Sequence, residues 1–314
     1  MRAMTENTME RTVGMVPGRE TLLQGKMVQL TNILVGMDFS LASERALDNA
    51  LALARRYEAK VVVAHVATEP NAILAPEMMP QGYEGQIREA QERMGDISIS
   101  GKLRGVAHET VIGLGALWPT VEALIGKHRI DLVVVGTNGA GGLQKLLIGS
   151  GAEQIFRQAK CPVMTVGPAA TEGAPKETEF KNILFATDFG DAAEYEAEYA
   201  FSFAQEHQAN LTLLHVVRNA EDYSEEGLSL KREATIHELK ELAPAGGELW
   251  CRTAFRMRLG DPVEEILAVA REMKADLLVI GAKRQKGLAV GHTLNTVAYK
   301  LVCGAPCPVL TVRS

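Results

Sequence analysis

Glycines followed by a serine are the residues of this chain most suited to chemistry. Gly136, Gly139 and the pair Gly149-Ser150 lie between an apolar run at 132–135 and an amphipathic helical stretch. The run is short and rich in β-branched residues, which indicates a strand covered on both faces. Glycine lets the backbone approach a ligand closely, and the unpaired N–H groups at a helix start attract anions. A strand, a glycine loop and a helix N-terminus therefore predict phosphate binding.

The spacing of these glycines makes the prediction more specific. Glycines three residues apart predict little by themselves, because most glycine-rich turns bind nothing. Here the order is Gly136, two residues, Gly139, nine residues, then Gly149-Ser150. It resembles the nucleotide motif of the universal stress protein family, G-2x-G-9x-G-(S/T), with every position present. No Gly-Lys-Ser/Thr follows, so the loop is not a P-loop.

An internal repeat determines the domain organisation. Four blocks recur in the same order, which indicates that the chain arose by duplication. The matched blocks are TNILVGMDFS at 31–40 with KNILFATDFG at 181–190, VAHV at 63–66 with LLHV at 213–216, DLVVVG at 131–136 with DLLVIG at 276–281, and CPVMTV at 161–166 with CPVLTV at 307–312. The stretch between the copies is polar and contains Pro and Gly, which is typical of a linker. We predict a flexible tail at 1–28, a first domain at 29–167, a linker at 168–179 and a second domain at 180–314.

Within each copy, short apolar strands alternate with amphipathic helical stretches, which is typical of a parallel sheet with right-handed crossovers. In the first copy the strands are predicted near 32–37, 60–66, 106–113, 131–136 and 162–166, and the helices near 43–57, 84–96, 119–128 and 149–160. In such a fold a ligand binds at the carboxyl ends of the strands, where the strand order reverses. The predicted fold class is α/β, with two tandem open five-stranded parallel sheets and helices on both faces.

Charge and composition exclude several classes of protein. A net charge of -6 argues against nonspecific nucleic-acid binding, which needs a basic surface. With 46% hydrophobic and 23% charged residues, the chain has the composition of a soluble protein. No apolar run approaches the roughly 20 residues of a membrane span, and the first residues lack the apolar core of a signal peptide. We expect a cytoplasmic protein. The four cysteines fit neither a disulfide framework nor a zinc site, so we expect them to be buried.

From Thr31 to Arg313 both copies resemble universal stress protein domains. The resemblance implies an adenine-nucleotide-binding α/β fold with strand order 3-2-1-4-5, and ATP as the ligand, with or without Mg²⁺. The site residues that it implies are Asp38 at the adenosine end, Val66, Val135 and Gly136 around the base, and Gly139, Gly149, Ser150 and Gly151 around the triphosphate. It implies no catalytic residue and no metal ligand of the protein.

The first copy departs from the family at one position. Many relatives have an arginine or histidine just before the second motif glycine, where this chain has Asn138. Lys145 or no side chain at all then supplies the positive charge for the phosphates, which predicts a modest affinity.

The second copy departs further. Arg284 replaces the second glycine, Asn295-Thr296 replaces the Gly-Ser pair, and the loop is one residue longer. These side chains would crowd a phosphate that the backbone cradles, although Lys283 and Lys286 add positive charge. We predict that the second site is degenerate.

Two pairs of residues also have ordinary structural explanations. Asp38 and Asp188 each follow a strand, where aspartate favours turns and caps. We favour a ligand role for Asp38 only, because the glycine loop is intact only in the first copy. His65 and His215 lie in apolar strands without a matched carboxylate or nucleophile, so we expect buried, neutral, hydrogen-bonded rings.

Three functions stay open. The favoured one is a tandem universal stress protein that binds ATP in its first domain and thereby alters a surface for an unidentified protein partner. A slow ATPase is the second, although no general base, nucleophile or paired carboxylate is found beside the glycine loop. The third is a structural stress protein that needs no nucleotide.

The last strand of each copy predicts how the domains associate. Residues 162–166 and 308–312 are short apolar strands at a sheet edge, and such edges leave backbone donors and acceptors open. We expect them to pair, which would give an intramolecular pseudo-dimer. Dimerisation of whole chains through other faces stays open.

Overall fold

The computed structural model describes residues 28–68, 79–137, 148–167, 179–219, 223–244, 251–282 and 296–313. Most of the predicted tail and linker therefore lies outside the described residues. The first domain contains β1 (Asn32–Gly36), α1 (Leu41–Tyr57), β2 (Lys60–Ala67), α2 (Met79–Ile99), β3 (His108–Leu114), α3 (Leu117–His128), β4 (Leu132–Gly136), α4 (Ser150–Gln158) and β5 (Val163–Val166). The second domain contains β6 (Asn182–Ala186), α5 (Ala193–His207), β7 (Asn210–Val217), α6 (Glu225–Glu241), β8 (Thr253–Leu259), α7 (Pro262–Glu272), β9 (Leu277–Gly281), α8 (Val297–Gly304) and β10 (Val309–Val312).

All these strands join one ten-stranded sheet, in the order β3-β2-β1-β4-β5-β10-β9-β6-β7-β8. Neighbours within each domain run parallel. The predicted α/β class and the order 3-2-1-4-5 are confirmed. The apolar runs fill the middle of the sheet because helices cover both of its faces. Within the described ranges, no helix has the length and apolar character needed to cross a membrane.

Several element boundaries differ from the prediction. The second helix extends over Met79–Ile99, well beyond 84–96, and β3 begins at His108 rather than 106. Helix α3 begins at Leu117, so Pro119 is its third residue rather than its first. A proline fits there because the N–H groups of the first turn have no partner within the helix. In α7, Pro262 is the first residue, and the Asp261 side chain accepts bonds from the next N–H groups.

The two domains pair through their last strands. Strand β10 runs antiparallel to β5, with Leu310 opposite Met164. The Thr165 hydroxyl donates to the carbonyl of Val309 at 3.3 Å. The predicted pairing is confirmed, and it covers both open edges within one chain.

Helices extend this contact on both faces of the sheet. On one face, Phe156 of α4 shares a hydrophobic cluster with Leu301 and Val302 of α8. On the other face, the C-terminus of α1 meets the C-terminus of α5, where Arg56 forms an ion pair with Glu206 at 3.3 Å. The domains therefore share a core instead of only touching at a strand edge.

His207 lies inside this second contact. Its ring is 4.7 Å from that of Phe180 and 6.2 Å from that of Tyr57, and it stacks on Phe203. Neither ring nitrogen has a hydrogen-bond partner among the described residues. Burial, with a smaller contribution from the charge of Arg56, lowers the pKa of His207 to about 4.

This histidine predicts acid sensitivity. Because its pKa in the folded protein is about 4, against 6.5 for an unperturbed ring, the unfolded chain binds a proton that the folded one does not between these values. Stability is therefore lost as the pH falls through this window, by about 2 kcal/mol from pH 7 to pH 5. Urea unfolding at both pH values measures the loss. His207→Phe should remove it, whereas His237→Gln, at an exposed histidine, should leave it. Equal losses in wild type and His207→Phe would contradict the assignment.

Candidate functional site

The carboxyl ends of β1, β2 and β4 meet at one edge of the first domain. Gly36 at the end of β1 pairs with β2 on one side and with Val135 of β4 on the other. Val66, near the end of β2, packs against the hydrophobic cluster that contains Val135. Asp38 follows β1, and Gly136 is the last residue of β4. The structure therefore brings these predicted site residues together where the strand order reverses.

Gly136 has a packing reason to be glycine. A Cβ built there would lie 2.5 Å from the carbonyl oxygen of Ala42 and 2.7 Å from the nitrogen of Ser43. Both atoms belong to the backbone of α1, which cannot move without shifting the helix. The absence of a side chain thus lets the N-terminus of α1 lie directly on the end of β4.

Asp38 holds the turn that leads from β1 into α1. Its Oδ1 accepts from the N–H of Ser40 at 3.0 Å and from the Ser40 hydroxyl. The Ser40 hydroxyl in turn accepts from the N–H of Ser43, as the N-cap of α1. Asp38 therefore does stabilise a turn, as the structural explanation of this residue predicts. Its side chain is nevertheless exposed, and Oδ2 has no hydrogen bond to a described residue.

A pair of aromatic rings in tilted contact supports this turn, and the sequence alone did not reveal it. Phe39 has a φ of 61°, in the left-handed region that side chains rarely adopt. Its ring lies 4.8 Å from the ring of His65, whose Nδ1 is 2.8 Å from the carbonyl oxygen of Met37. The second domain repeats the arrangement with Phe189 and His215. Both histidines are hydrogen-bonded, as predicted, but half-buried. The recurrence of an Asp-Phe pair in both repeats was the feature of the sequence that could have indicated this contact.

The N-terminus of α4 lies beside this edge. The N–H of Gly149 donates to the carbonyl of Thr137, the residue after β4, so the two ends of the glycine-rich stretch meet. Gly149 is the N-cap, Ser150 is the first helical residue, and no described side chain caps the helix. Gly151 lies close to Leu117 of α3, and a Cβ built on Gly151 would lie 3.1 Å from the Cδ2 atom of Leu117. The first-turn N–H groups thus have no acceptor from a described side chain.

The N-terminus of α8 in the second domain is capped by a side chain of the chain itself. Thr296 is the N-cap there, and its hydroxyl accepts from the N–H of Tyr299 at 3.2 Å. The same hydrogen bond cannot form in α4, because its N-cap is a glycine. The duplicated helices therefore differ by one first-turn donor, which Thr296 occupies in α8 and which no described side chain occupies in α4.

A buried carboxylate is a further difference between the two domains. Gly281 is the second-domain counterpart of Gly136, and a Cβ built on it would collide with the carboxylate of Glu196, not with backbone. Glu196 is 8% exposed and lines a cavity of about 330 Å³. This cavity is formed by Asp188, Thr296 and Arg313 of the second domain, together with Phe156 and Arg157 of the first. The first domain has Ala46 at the position of Glu196 in the aligned repeat.

Comparison with known proteins identifies the family. A sequence profile of the universal stress protein family matches residues 29–167 and again residues 179–313. The chain belongs to the universal stress protein family. A universal stress protein of Mycolicibacterium smegmatis is 25% identical over 293 residues, which cover 90% of this chain and 96% of that protein. Another, from Thermus aquaticus, is 37% identical over 141 residues, 43% of this chain and 99% of that protein.

Solved universal stress protein structures share the architecture. One from Archaeoglobus fulgidus has a TM-score of 0.69 at 20% identity and covers 91% of this chain and 99% of its own. A putative member from Pseudomonas aeruginosa has a TM-score of 0.64 at 17% identity, with 90% and 93% covered. At these identities the similarity shows the fold alone. The protein is thus a tandem universal stress protein, and its ligand has to be argued from the site.

Part of the universal stress protein motif lies outside the described residues. This applies to Gly139, Asn138 and Lys145 in the first domain, and to residues 283–295 in the second, which include the predicted basic side chains and Asn295. Of the residues predicted to surround the triphosphate, the structure therefore describes Gly149, Ser150 and Gly151.

The cysteines are thiols in the described structure. Cys251 and Cys307 are buried, Cys161 and Cys303 are half-buried, and all are unbridged. Burial raises the pKa of Cys161 to about 11 and that of Cys307 to about 12, which keeps both thiols protonated at neutral pH. Across the described part of the chain, no group of three or more His, Cys, Asp or Glu side chains has an arrangement suited to a metal ion.

Proposed function

We propose that this universal stress protein binds one adenine nucleotide, ATP, in its first domain and that occupancy alters a surface read by a protein partner in the cytoplasm. The observation that carries the proposal is the N-terminus of α4, which no described side chain caps, at the edge where β1, β2 and β4 end. An anion is stabilised there by unpaired N–H groups and by the positive end of the helix dipole.

Each described residue of this site suits one part of ATP. The backbone N–H groups of Ser150 and Gly151 supply donors for the phosphates, and the Ser150 hydroxyl adds another. Gly149, whose own N–H bonds to Thr137, lets the phosphate approach without a side chain in the way. Asp38, exposed at the other side, accepts from a ribose hydroxyl or an amine. Val66, which is half-buried, offers apolar surface for the base, and Val135 lies in the core beneath it. When Mg²⁺ accompanies ATP, the phosphates supply its ligands.

The second domain is proposed to bind no nucleotide. Its helix start is already capped by Thr296, and the carboxylate of Glu196 covers Gly281, where the first domain has only backbone. The capping bond uses a first-turn donor and the Glu196 side chain occupies space, and a bound phosphate would need both. The matched features of the two domains thus favour a single site per chain.

Calorimetry on purified, nucleotide-free protein tests the proposal. We expect one ATP bound per chain, and native mass spectrometry of freshly purified protein should find one adenine nucleotide per chain. Whether that nucleotide is ATP or ADP separates a binding protein from an ATPase.

Gly139→Arg is the matched variant, because the second domain carries Arg284 at the aligned position. It should abolish binding by filling the cradle. The reverse change, Arg284→Gly, should create no second site, since Thr296 and Glu196 remain. Two equal sites per chain, no binding, or unchanged binding by Gly139→Arg would each rule out the proposed function.

A further inference from the structure

Helix α4 connects the proposed nucleotide site with the second domain. Its first residues, Ser150 and Gly151, belong to the proposed phosphate cradle. At its other end, the guanidinium of Arg313 donates from Nη1 to the carbonyl of Arg157 at 2.8 Å and from Nη2 to the carbonyl of Phe156. With nine residues at about 1.5 Å each, the helix separates the two ends by only roughly 13 Å.

Arg313 is fixed in this place by more than the two hydrogen bonds. It follows β10 directly and is 6% exposed, and its guanidinium carbon lies 5.2 Å from the centre of the Phe156 ring. Carbonyls in the last turn of a helix have no partner within the helix and carry its negative partial charge. A planar cation that binds two of them neutralises this end and also fixes where the helix lies.

The contact has no equivalent on the other side of the pseudo-twofold axis. Gly167 occupies the position of Arg313 in the aligned repeat. A Cβ built on Gly167 would lie 3.7 Å from the carbonyl oxygen of Val302, the counterpart of Phe156. The second domain thus caps the C-terminus of α4, whereas the first domain has no side chain at the matching position with which to cap α8.

We propose that Arg313 is a positioning residue through which the second domain strengthens nucleotide binding in the first, an inference that rests on the proposed function. The negative end of the helix dipole opposes an anion at the other end, so a cation bound there favours the phosphates. The hydrogen bonds also hold α4 against the sheet, which keeps its first-turn N–H groups directed to one place. The degenerate domain would then act on affinity without binding nucleotide itself.

Calorimetric titration of the full-length protein with ATP tests the proposal. Arg313→Ala should weaken binding by roughly five- to tenfold, at the low end of couplings between distant sites. Arg313→Lys keeps the charge but not the planar pair of donors, and it should restore part of the lost affinity. Arg258→Ala removes the same charge from β8, at the far edge of the sheet, and should leave affinity unchanged. If Arg313→Ala fails to fold, Arg313→Gln replaces it with the same expectation.

The outcomes are distinguishable. If wild type binds no ATP, the proposed function fails. If wild type binds and the affinities of Arg313→Ala and wild type are equal, only the role of Arg313 is overturned. If Arg258→Ala weakens ATP binding as much as Arg313→Ala does, the loss comes from the net charge of the protein and not from the contact with α4. If Arg313→Lys restores none of the lost affinity, the positive charge at the end of α4 does not contribute to binding.

Discussion

Gly136→Ala is expected to lower the free energy of unfolding by about 3 kcal/mol, because the added methyl group has no space at the end of β4. The atoms that it would meet are the Ala42 carbonyl oxygen at 2.5 Å and the Ser43 nitrogen at 2.7 Å. Both are backbone atoms in the first turn of α1, so relief requires that the helix move away from the sheet. Urea unfolding, with the midpoint and the slope analysed separately, measures the loss.

Gly281→Ala is the matched control in the second domain. There the methyl group meets the end of the Glu196 side chain, which lines a cavity and can turn into it. We expect a smaller loss, about 1 kcal/mol, since a side chain adjusts more easily than helix backbone. Equal losses in the two variants would show that the position of α1 on β4 does not determine the cost.

The sequence was sufficient for the fold because the fold depends on local pattern. Apolar runs such as 132–135 specify strands buried on both faces, and their alternation with helical stretches specifies a parallel sheet. The pairing of β5 with β10 was predictable as well, since both are apolar strands that would otherwise leave an open edge. The boundaries of α2 and α3 were less predictable, because a helix end depends on packing and on capping contacts as much as on composition.

The features that distinguish the two domains could not be read from the motif. The close approach of the Glu196 carboxylate to Gly281 joins residues that are far apart in the chain, and the Arg313 contact with α4 spans 157 residues. Nothing in the local sequence around Arg313 indicates a helix end in the other domain. Alignment of the two repeats does show that the domains differ at these positions, because Ala46 aligns with Glu196 and Gly167 aligns with Arg313.

Asp38 and Asp188 allow a comparison that separates a turn role from a ligand role. Each aspartate accepts a bond through Oδ1 from the N–H two residues later, Ser40 in the first domain and Gly190 in the second. Removal of either carboxylate therefore breaks this turn contact, and in the first domain it also breaks the bond from the Ser40 hydroxyl. Only Asp38 stands beside a helix start that no described side chain caps, so only its removal should affect a nucleotide.

Asp38→Ala is expected to weaken ATP binding by about tenfold to a hundredfold, which corresponds to about 1.5–3 kcal/mol for a hydrogen bond to a charged group. Asp188→Ala should leave the affinity unchanged although it also lowers stability, since each substitution removes the bond from the N–H two residues later. Calorimetric titration gives the affinities, and urea unfolding of the same preparations gives the stabilities. An equal effect of the two substitutions on affinity would mean that Asp38 acts only through the turn, and the adenosine end would then have to be held by other residues.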